Sequence, residues 1–299
     1  MKKRLASDGG ASASTSDRAI ESKGFNAVKK AMMAGCLPGG LSLEERFQLT
    51  AEAGFAGLEI ALSREGFFSF SSPASDVDAV RKLSETTGVT ISGMLAGPMW
   101  EVPPTSADES VREQARRMVR RSIEVAGDLG VDCLLLVPGK VDAETPYGAA
   151  WDRAQAFIRS LLPDCARHGV SLAIENVWNK MLYTPMEMKL FVDQIDDPLV
   201  GVYFDAGNHA AFTWPEHWAP VLGDRIKRVH VKGFNTRAGY DFTGFVRLLD
   251  GDIDWKKVMD SLRAIGYDGW VTLEIGAGRH DPRRTTKEYA ADMDTLLAL

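Results

Sequence analysis

Four polar residues end segments that are otherwise apolar: Glu175 closes SLAIE, Asp205 closes GVYFD, and His230 and Glu274 lie in RVHVK and VTLEI. Three carboxylates and one imidazole, with no thiolate, form a donor set for a hard or borderline divalent ion: Mn²⁺ first, or Mg²⁺, Co²⁺ or Zn²⁺. If the fold gathers them, three ionised carboxylates repel one another, and without a cation at least one is pushed towards its protonated form. The alternative is that each acid pairs separately with an Arg or Lys. A divalent ion with open positions can chelate a carbonyl and an adjacent hydroxyl and lower the cost of an enediolate. A carboxylate beside the carbon can take its proton as general base, a role that contributes roughly 10²–10⁴-fold. Two such carboxylates on opposite faces of the substrate permit epimerisation. Return of the proton to the neighbouring carbon gives aldose–ketose isomerisation instead.

Such convergence needs a scaffold. From residue 31 a short apolar run followed by a longer helical pattern recurs eight times. The runs are Ala31–Cys36, Gly57–Ala61, Thr90–Leu95, Cys133–Val137, Ser171–Glu175, Gly201–Asp205, Arg228–Lys232 and Trp270–Ile275. Most are apolar at both alternate positions, as in strands buried on two faces of a parallel sheet. Helix signals lie between them. Ser42 with Glu45 makes a capping box, and further helices are predicted over 76–88, 108–130, 146–169, 185–195, 215–222, 254–266 and 282–297. Eight βα units without an intervening linker predict an α/β chain folded as a single (β/α)₈ TIM barrel over 31–299, where the C-terminal strand ends converge on one mouth. A doubly wound sheet would need a phosphate-binding turn after its first strand, and GCLPGG lacks the GxGxxG spacing. Residues 1–30 read as a flexible N-terminal tail rich in Ser, Ala and Gly, with no apolar region of a secretory signal.

Composition narrows the partners. With 35 Lys+Arg against 41 Asp+Glu the net charge is −6, leaving no basic surplus for nucleic acid or an anionic membrane. Its 3 cysteines form no CxxC motif, which suits a reducing, cytoplasmic setting. No apolar stretch reaches the ~20 residues of a membrane span. Several further residues belong at the mouth. Lys232 follows His230 by two and shares its side of the strand, where it can reach a substrate oxygen or phosphate, or pair with a metal-binding carboxylate. Glu59 closes the second strand and binds a hydroxyl or orients a neighbour. Trp100 offers an apolar wall for a sugar. Arg237 and Lys140 sit in mouth-side loops that could hold a phosphate. His209, shifted by one residue from the inward-facing set, reads as structural.

The segments LAIEN, VYFDAGN, VHVK and GDIDW, followed by LEI, resemble the second half of the xylose isomerase-like barrels that include tagatose 3-epimerase, ribulose-phosphate 3-epimerases and hydroxypyruvate isomerase. The resemblance implies that Glu175, Asp205, His230 and Glu274 bind one divalent metal and that Glu175 and Glu274 are the acid/base pair. It implies an isomerase of carbohydrate metabolism acting on a small sugar or sugar phosphate, in a homo-oligomer, dimer or tetramer. Free-ketose epimerases commonly carry a His three residues after the metal-binding Asp and a second Glu six after the first. Those positions are Asn208 and Met181 here, an arrangement closer to the sugar-phosphate branch, and Asn208 joins the expected substrate contacts. The GDIDW loop lacks the first glycine of the family's GxGxxDW pattern, replaced by Leu249, and Asp254 reads as a helix cap. Two alternatives remain: a metal-dependent lyase on the same barrel, inosose dehydratase-like or deglycosylating, and a non-catalytic sugar-binding barrel. An apurinic-site endonuclease would need a histidine-rich three-metal cluster, and the chain has 5 histidines.

Overall fold

A computed structural model describes residues 28–278 and 281–299. The tail expected over 1–30 lies outside the described residues as far as 27. Eight parallel strands close a barrel: β1 (Lys29–Met33), β2 (Gly57–Ala61), β3 (Thr90–Leu95), β4 (Cys133–Leu136), β5 (Ser171–Glu175), β6 (Val200–Asp205), β7 (Ile226–Val231) and β8 (Trp270–Leu273). Each strand neighbours the next in sequence, and β8 closes on β1 through Lys29 opposite Trp270. The chain thus has the single TIM-barrel fold that the alternation of apolar runs and helical patterns predicts.

Nine α-helices among the described residues surround the strands: α1 (Leu43–Glu52), α2 (Ala74–Thr87), α3 (Glu109–Leu129), α4 (Tyr147–Arg159), α5 (Leu162–His168), α6 (Pro185–Ile195), α7 (Trp218–Leu222), α8 (Trp255–Ala264) and α9 (Pro282–Ala298). Helical spacing of apolar residues sets their inward faces. α3 buries Ala115, Val119, Ile123 and Ala126, and α8 buries Trp255, Val258, Met259 and Leu262. The Ser42–Glu45 capping box forms as predicted, and a second one, Thr184–Glu187, starts α6 with Pro185 at its first position. Each such cap is worth about 1 kcal/mol.

Local differences from the sequence reading have local causes. The first strand starts at Lys29, not Ala31, and Ala34–Cys36 is a 3₁₀ turn. Two lysines can open a strand because their stems lie on apolar surface: Lys29 Nζ is 5.2 Å from the Trp270 ring and Lys30 Nζ 5.2 Å from Phe55. The helix expected over 146–169 breaks into α4 and α5, because Pro163 lacks an amide hydrogen and clashes with the preceding turn. The helix expected over 215–222 begins as a 3₁₀ turn, Pro215–His217. Between β7 and α8 an unpredicted two-stranded antiparallel ribbon pairs Gly233–Phe234 with Phe245–Val246.

Candidate metal centre

Register decides which side chains meet. Asp205 stands directly opposite His230 across the β6–β7 pair, and Glu175 opposite Tyr203 across β5–β6. Glu274 follows β8 by one residue, its backbone amide bonded to the Val231 carbonyl. Glu175, Asp205, His230 and Glu274 each present one ligand atom, and these atoms lie within 4.8 Å of one another. Around His230 Nδ1 the distances are 3.1 Å to Glu175 Oε1, 3.3 Å to Glu274 Oε2 and 3.9 Å to Asp205 Oδ2. Asp205 and His230 are buried, and Glu175 and Glu274 form the floor of a cavity of about 1050 Å³.

His230 and Asp205 are held in place from behind. His230 Nε2 donates to Glu59 Oε1 at 3.0 Å, and the Tyr203 hydroxyl donates to the other oxygen of Glu59. Glu59 reaches this position because the β2–β3 pairing skips Ser92 and sets Glu59 opposite Gly93. A side chain at 93 would crowd it, since a β-carbon there would stand 3.2 Å from Glu59 Oε2. Asp205 is fixed from three sides. Its Oδ1 accepts from the amides of Gly207 and Asn208, both at 2.7 Å, while Asn176 bonds its backbone in both directions, at 2.8 and 2.9 Å. Gly207 is required here: a β-carbon would stand 2.7 Å from the Lys232 carbonyl oxygen.

These constraints leave donors aimed at one point. Asp205 Oδ2 is buried and accepts no hydrogen bond of proper geometry; its ion-pair partner is Lys232 Nζ at 2.7 Å. With His230 Nε2–H given to Glu59, Nδ1 faces the three carboxylates either as a proton carrier or as a lone pair towards a cation. A carboxylate behind a histidine that faces such a set is the arrangement that orients metal-binding imidazoles. The residues therefore fit a divalent ion.

The electrostatics of the cluster without a cation shows the same tension. Burial pushes the Glu175 carboxyl up to about 7, against the hydrogen bond from His230, and burial likewise raises Asp205. For His230 burial opposes protonation, but Glu59 and Glu274 outweigh it and hold the imidazolium well above the usual range. For Glu274 burial is outweighed by Lys232 and His230, which keep it well below the usual carboxylate range. Burial also opposes charge on Lys232, and Asp205 and Glu274 reverse that. Two cations drawn among four carboxylates do, imperfectly, what one divalent ion would do.

The remaining expected residues divide. Trp100, Asn208 and Lys232 line the same cavity as Glu175 and Glu274. Lys232 is ion-paired with Asp205 and Glu274, so the pairing reading of this residue is the one the geometry realises. Glu59, expected either to bind a substrate hydroxyl or to orient a neighbour, is fully buried behind His230 with both oxygens engaged, the geometry of the second reading. Arg237, also expected against substrate, lies in the loop between the two ribbon strands and lines a separate cavity of about 580 Å³ beside Trp214, Tyr240 and Asp252. Lys140 stands 3.7 Å from Asp142. His209 is buried, its Nε2–H donates to the Val177 carbonyl at 3.0 Å, and its pKa is lowered to about 4 by burial, as suits a structural ring. Asp254 caps α8.

Sequence reasoning missed Tyr203, Asn176 and the aromatic residues Trp178, Phe242 and Phe245. Tyr203 had a signal: it precedes Asp205 by two and so faces the same side of β6. The aromatic group had none, because its members come from the loop after β5 and from the unpredicted ribbon. Trp178 lies 5.3 Å from Phe242 and 5.2 Å from Phe245, ring centre to ring centre.

Comparison with known proteins agrees with this architecture. The putative L-ribulose-5-phosphate 3-epimerase SgbU of Escherichia coli K12 is 26% identical over 240 residues, covering 79% of this chain and 84% of that protein. The L-ribulose-5-phosphate 3-epimerase UlaE of Escherichia coli ATCC 8739 is 24% identical over 242 residues, covering 80% and 84%. The crystal structure of a D-tagatose 3-epimerase-like protein superposes with a TM-score of 0.75 at 23% identity, covering 91% of this chain and 98% of the other, and so shares the fold. UlaE is named as an epimerase and SgbU as a putative one, and epimerases are isomerases. The sequence model described as the xylose isomerase-like TIM barrel matches residues 47–298, and the chain belongs to that family.

Proposed function

We propose that the protein is a divalent-metal-dependent isomerase of sugars or sugar derivatives, an epimerase first, that works by removing and returning a proton next to a carbonyl. The observation that carries this reading is the gathering of four chain-distant donors within 4.8 Å at the floor of a large cavity. Glu175, Asp205, His230 and Glu274 would hold the ion; an oxygen-rich set with one imidazole suits manganese. When bound, the ion lowers the cost of negative charge developing on a carbonyl oxygen and its neighbouring hydroxyl.

The chain's own residues supply the proton chemistry. Glu175 from β5 and Glu274 from the end of β8 approach the cavity from different strands, with His230 between them. One carboxylate takes the proton from carbon, and the other returns one from its own side, which inverts the centre. Asp205 and His230, buried below the floor, anchor the site without touching the cavity. Glu59 and Tyr203 hold the His230 ring in one orientation. Lys232 restrains Glu274 and Asp205 and keeps their charge compensated.

The test is incubation with Mn²⁺ and a panel of keto-sugars in D₂O. Carbon-bound deuterium in a product of unchanged skeleton supports the proposal. Loss of water or of a substituent would assign a lyase, and absence of exchange with every keto-sugar, in protein that holds stoichiometric metal, would refute the reading.

A further inference from the structure

The cavity above Glu175 and Glu274 is far larger than one sugar ring. Its volume of about 1050 Å³ stands at the top of the roughly 300–1,000 Å³ that accommodates drug-sized ligands. A lone ketose would leave much of it to water. One wall of that space is aromatic. Lys232 Nζ lies 5.4 Å from the Phe245 ring, Trp178 packs beside Phe245 at 5.2 Å with planes at 37°, and Phe242 follows Trp178 at 5.3 Å and 32°. Phe242 and Phe245 are themselves 6.1 Å apart, so the three rings form one compact cluster on the cavity wall, on which Phe242 is 77% exposed; Trp100, also on the lining, is 47% exposed. Exposed aromatic rings lining a cavity, here Phe242 and Trp100, bind planar apolar groups or the carbon faces of sugars.

The loop that carries Trp178 is built to hold it. Lys180 and Leu182 have φ of +63° and +59°, a left-handed conformation unfavourable for both side chains. Asn179 ties the loop to the Gly139 carbonyl at 2.8 Å, and the Trp178 indole nitrogen donates to the Asn208 carbonyl. Strain held this way marks a segment whose position matters.

Among the described residues, the lining offers little to a phosphate. Among the described residues its cations are Lys232 and Arg247, and each is held by two carboxylates: Lys232 by Asp205 and Glu274, Arg247 by Asp292 at 2.9 Å and Glu288 at 3.6 Å. A phosphate dianion would have to displace a carboxylate from one of them.

We infer that the substrate is a keto-sugar glycoside with a planar, apolar aglycone: the oxidised sugar ring sits over Glu175 and Glu274, and the aglycone lies along Phe245, Trp178 and Phe242. This deepens the isomerase reading and rests on it. One C–H bond beside the ketone breaks, its electron pair passing into the enediolate and its proton to one carboxylate. A new C–H bond forms with a proton from the other carboxyl group, and the glycosidic bond is untouched.

The Mn²⁺-loaded full chain is tested in D₂O with p-nitrophenyl 3-keto-β-glucoside, D-tagatose and L-ribulose 5-phosphate. Deuterium exchange should favour the aryl glycoside by about tenfold or more in kcat/KM. Trp178→Ala and Phe242→Ala should each cut that preference about tenfold, chiefly through KM; the exposed Phe242 is the variant least able to disturb folding. Preference for either of the other two sugars, or equal losses on all three, overturns the inference. If no probe exchanges, the isomerase reading falls, and the wall is judged by binding alone: quenching of tryptophan fluorescence by p-nitrophenyl β-glucoside, lost in Phe242→Ala, supports it, and no quenching overturns it. A Phe242→Ala variant that changes sedimentation and leaves the preference intact assigns the wall to contact between copies of the chain and also overturns it.

Discussion

Replacing Glu59 tests the proposed metal site through a residue that does not touch the cavity. Glu59 is fully buried, and its Oε1 receives the Nε2–H of His230 at 3.0 Å. Glu59→Ala removes that acceptor and leaves a buried ring N–H without a partner, a defect of about 1–3 kcal/mol. It also frees the imidazole to rotate, so that Nδ1 no longer faces Glu175, Glu274 and Asp205. Loss of such a supporting group typically lowers metal affinity 10–100-fold, about 1.4–2.7 kcal/mol. Glu59→Gln keeps an oxygen acceptor and the volume but not the charge, and should fall between the parent and Glu59→Ala. Tyr203→Phe removes the hydroxyl on the far oxygen of Glu59 and should have the smallest effect of the three. The assay is calorimetric titration of metal-free protein with Mn²⁺ at constant pH, with circular dichroism to show that each variant is folded. If folded Glu59→Ala binds Mn²⁺ as tightly as the parent, His230 is not a ligand held by Glu59, and the site as drawn is wrong.

Three other outcomes follow from the same geometry. Glu175→Gln and Glu274→Gln should each lower turnover by about 10²–10⁴-fold while leaving the fold intact by circular dichroism, and full exchange activity in either contradicts its role in moving protons. Asp205→Asn and His230→Ala should mainly weaken metal retention, read by elemental analysis after dialysis; stoichiometric metal in both would undo the ligand assignment. The metal-free protein should lose stability relative to Glu175→Gln as the pH rises, a comparison that cancels the opposite contribution of His209, whose pKa burial lowers from 6.5 to about 4. Burial raises the Glu175 pKa from 4.5 to about 7, so the stability it contributes is complete below 4.5 and lost as the pH passes 7. His230, held well above 6.5, adds a term of the same sign that is lost at higher pH still. Because protons compete with metal for these groups, the stabilisation on adding Mn²⁺, read as a rise in melting temperature, should grow over the same interval, the stabilisation reaching about 2.7 kcal/mol when free metal is 100 times Kd. A Mn²⁺ effect that is largest at pH 5 would contradict this.

The barrel was legible because its signals are local. An apolar run buried on both faces followed by an amphipathic, capped helix specifies a βα unit wherever it stands, and eight in succession leave few topologies. The boundaries read least well were those set by distant partners, such as β1, whose lysines need Trp270 and Phe55 to lie on.

The four candidate ligands were also legible, since a polar residue ending an apolar strand stands out and strand ends in a barrel share one mouth. What the amino-acid order determined, then, was the scaffold and the identity of the groups facing its axis. Tertiary structure alone decided how those groups are used. Glu59, 171 positions from His230, became its support because a skipped residue in β3 brings Glu59 opposite Gly93. Arg237, in the loop of a ribbon that no periodicity announces, lines a cavity separate from the carboxylate cluster. Trp178, Phe242 and Phe245 form one wall only because two distant loops pack together. The physical reason is the same in each case: propensity and periodicity act over a few neighbours, whereas register, close approach and loop packing join residues that the chain keeps far apart.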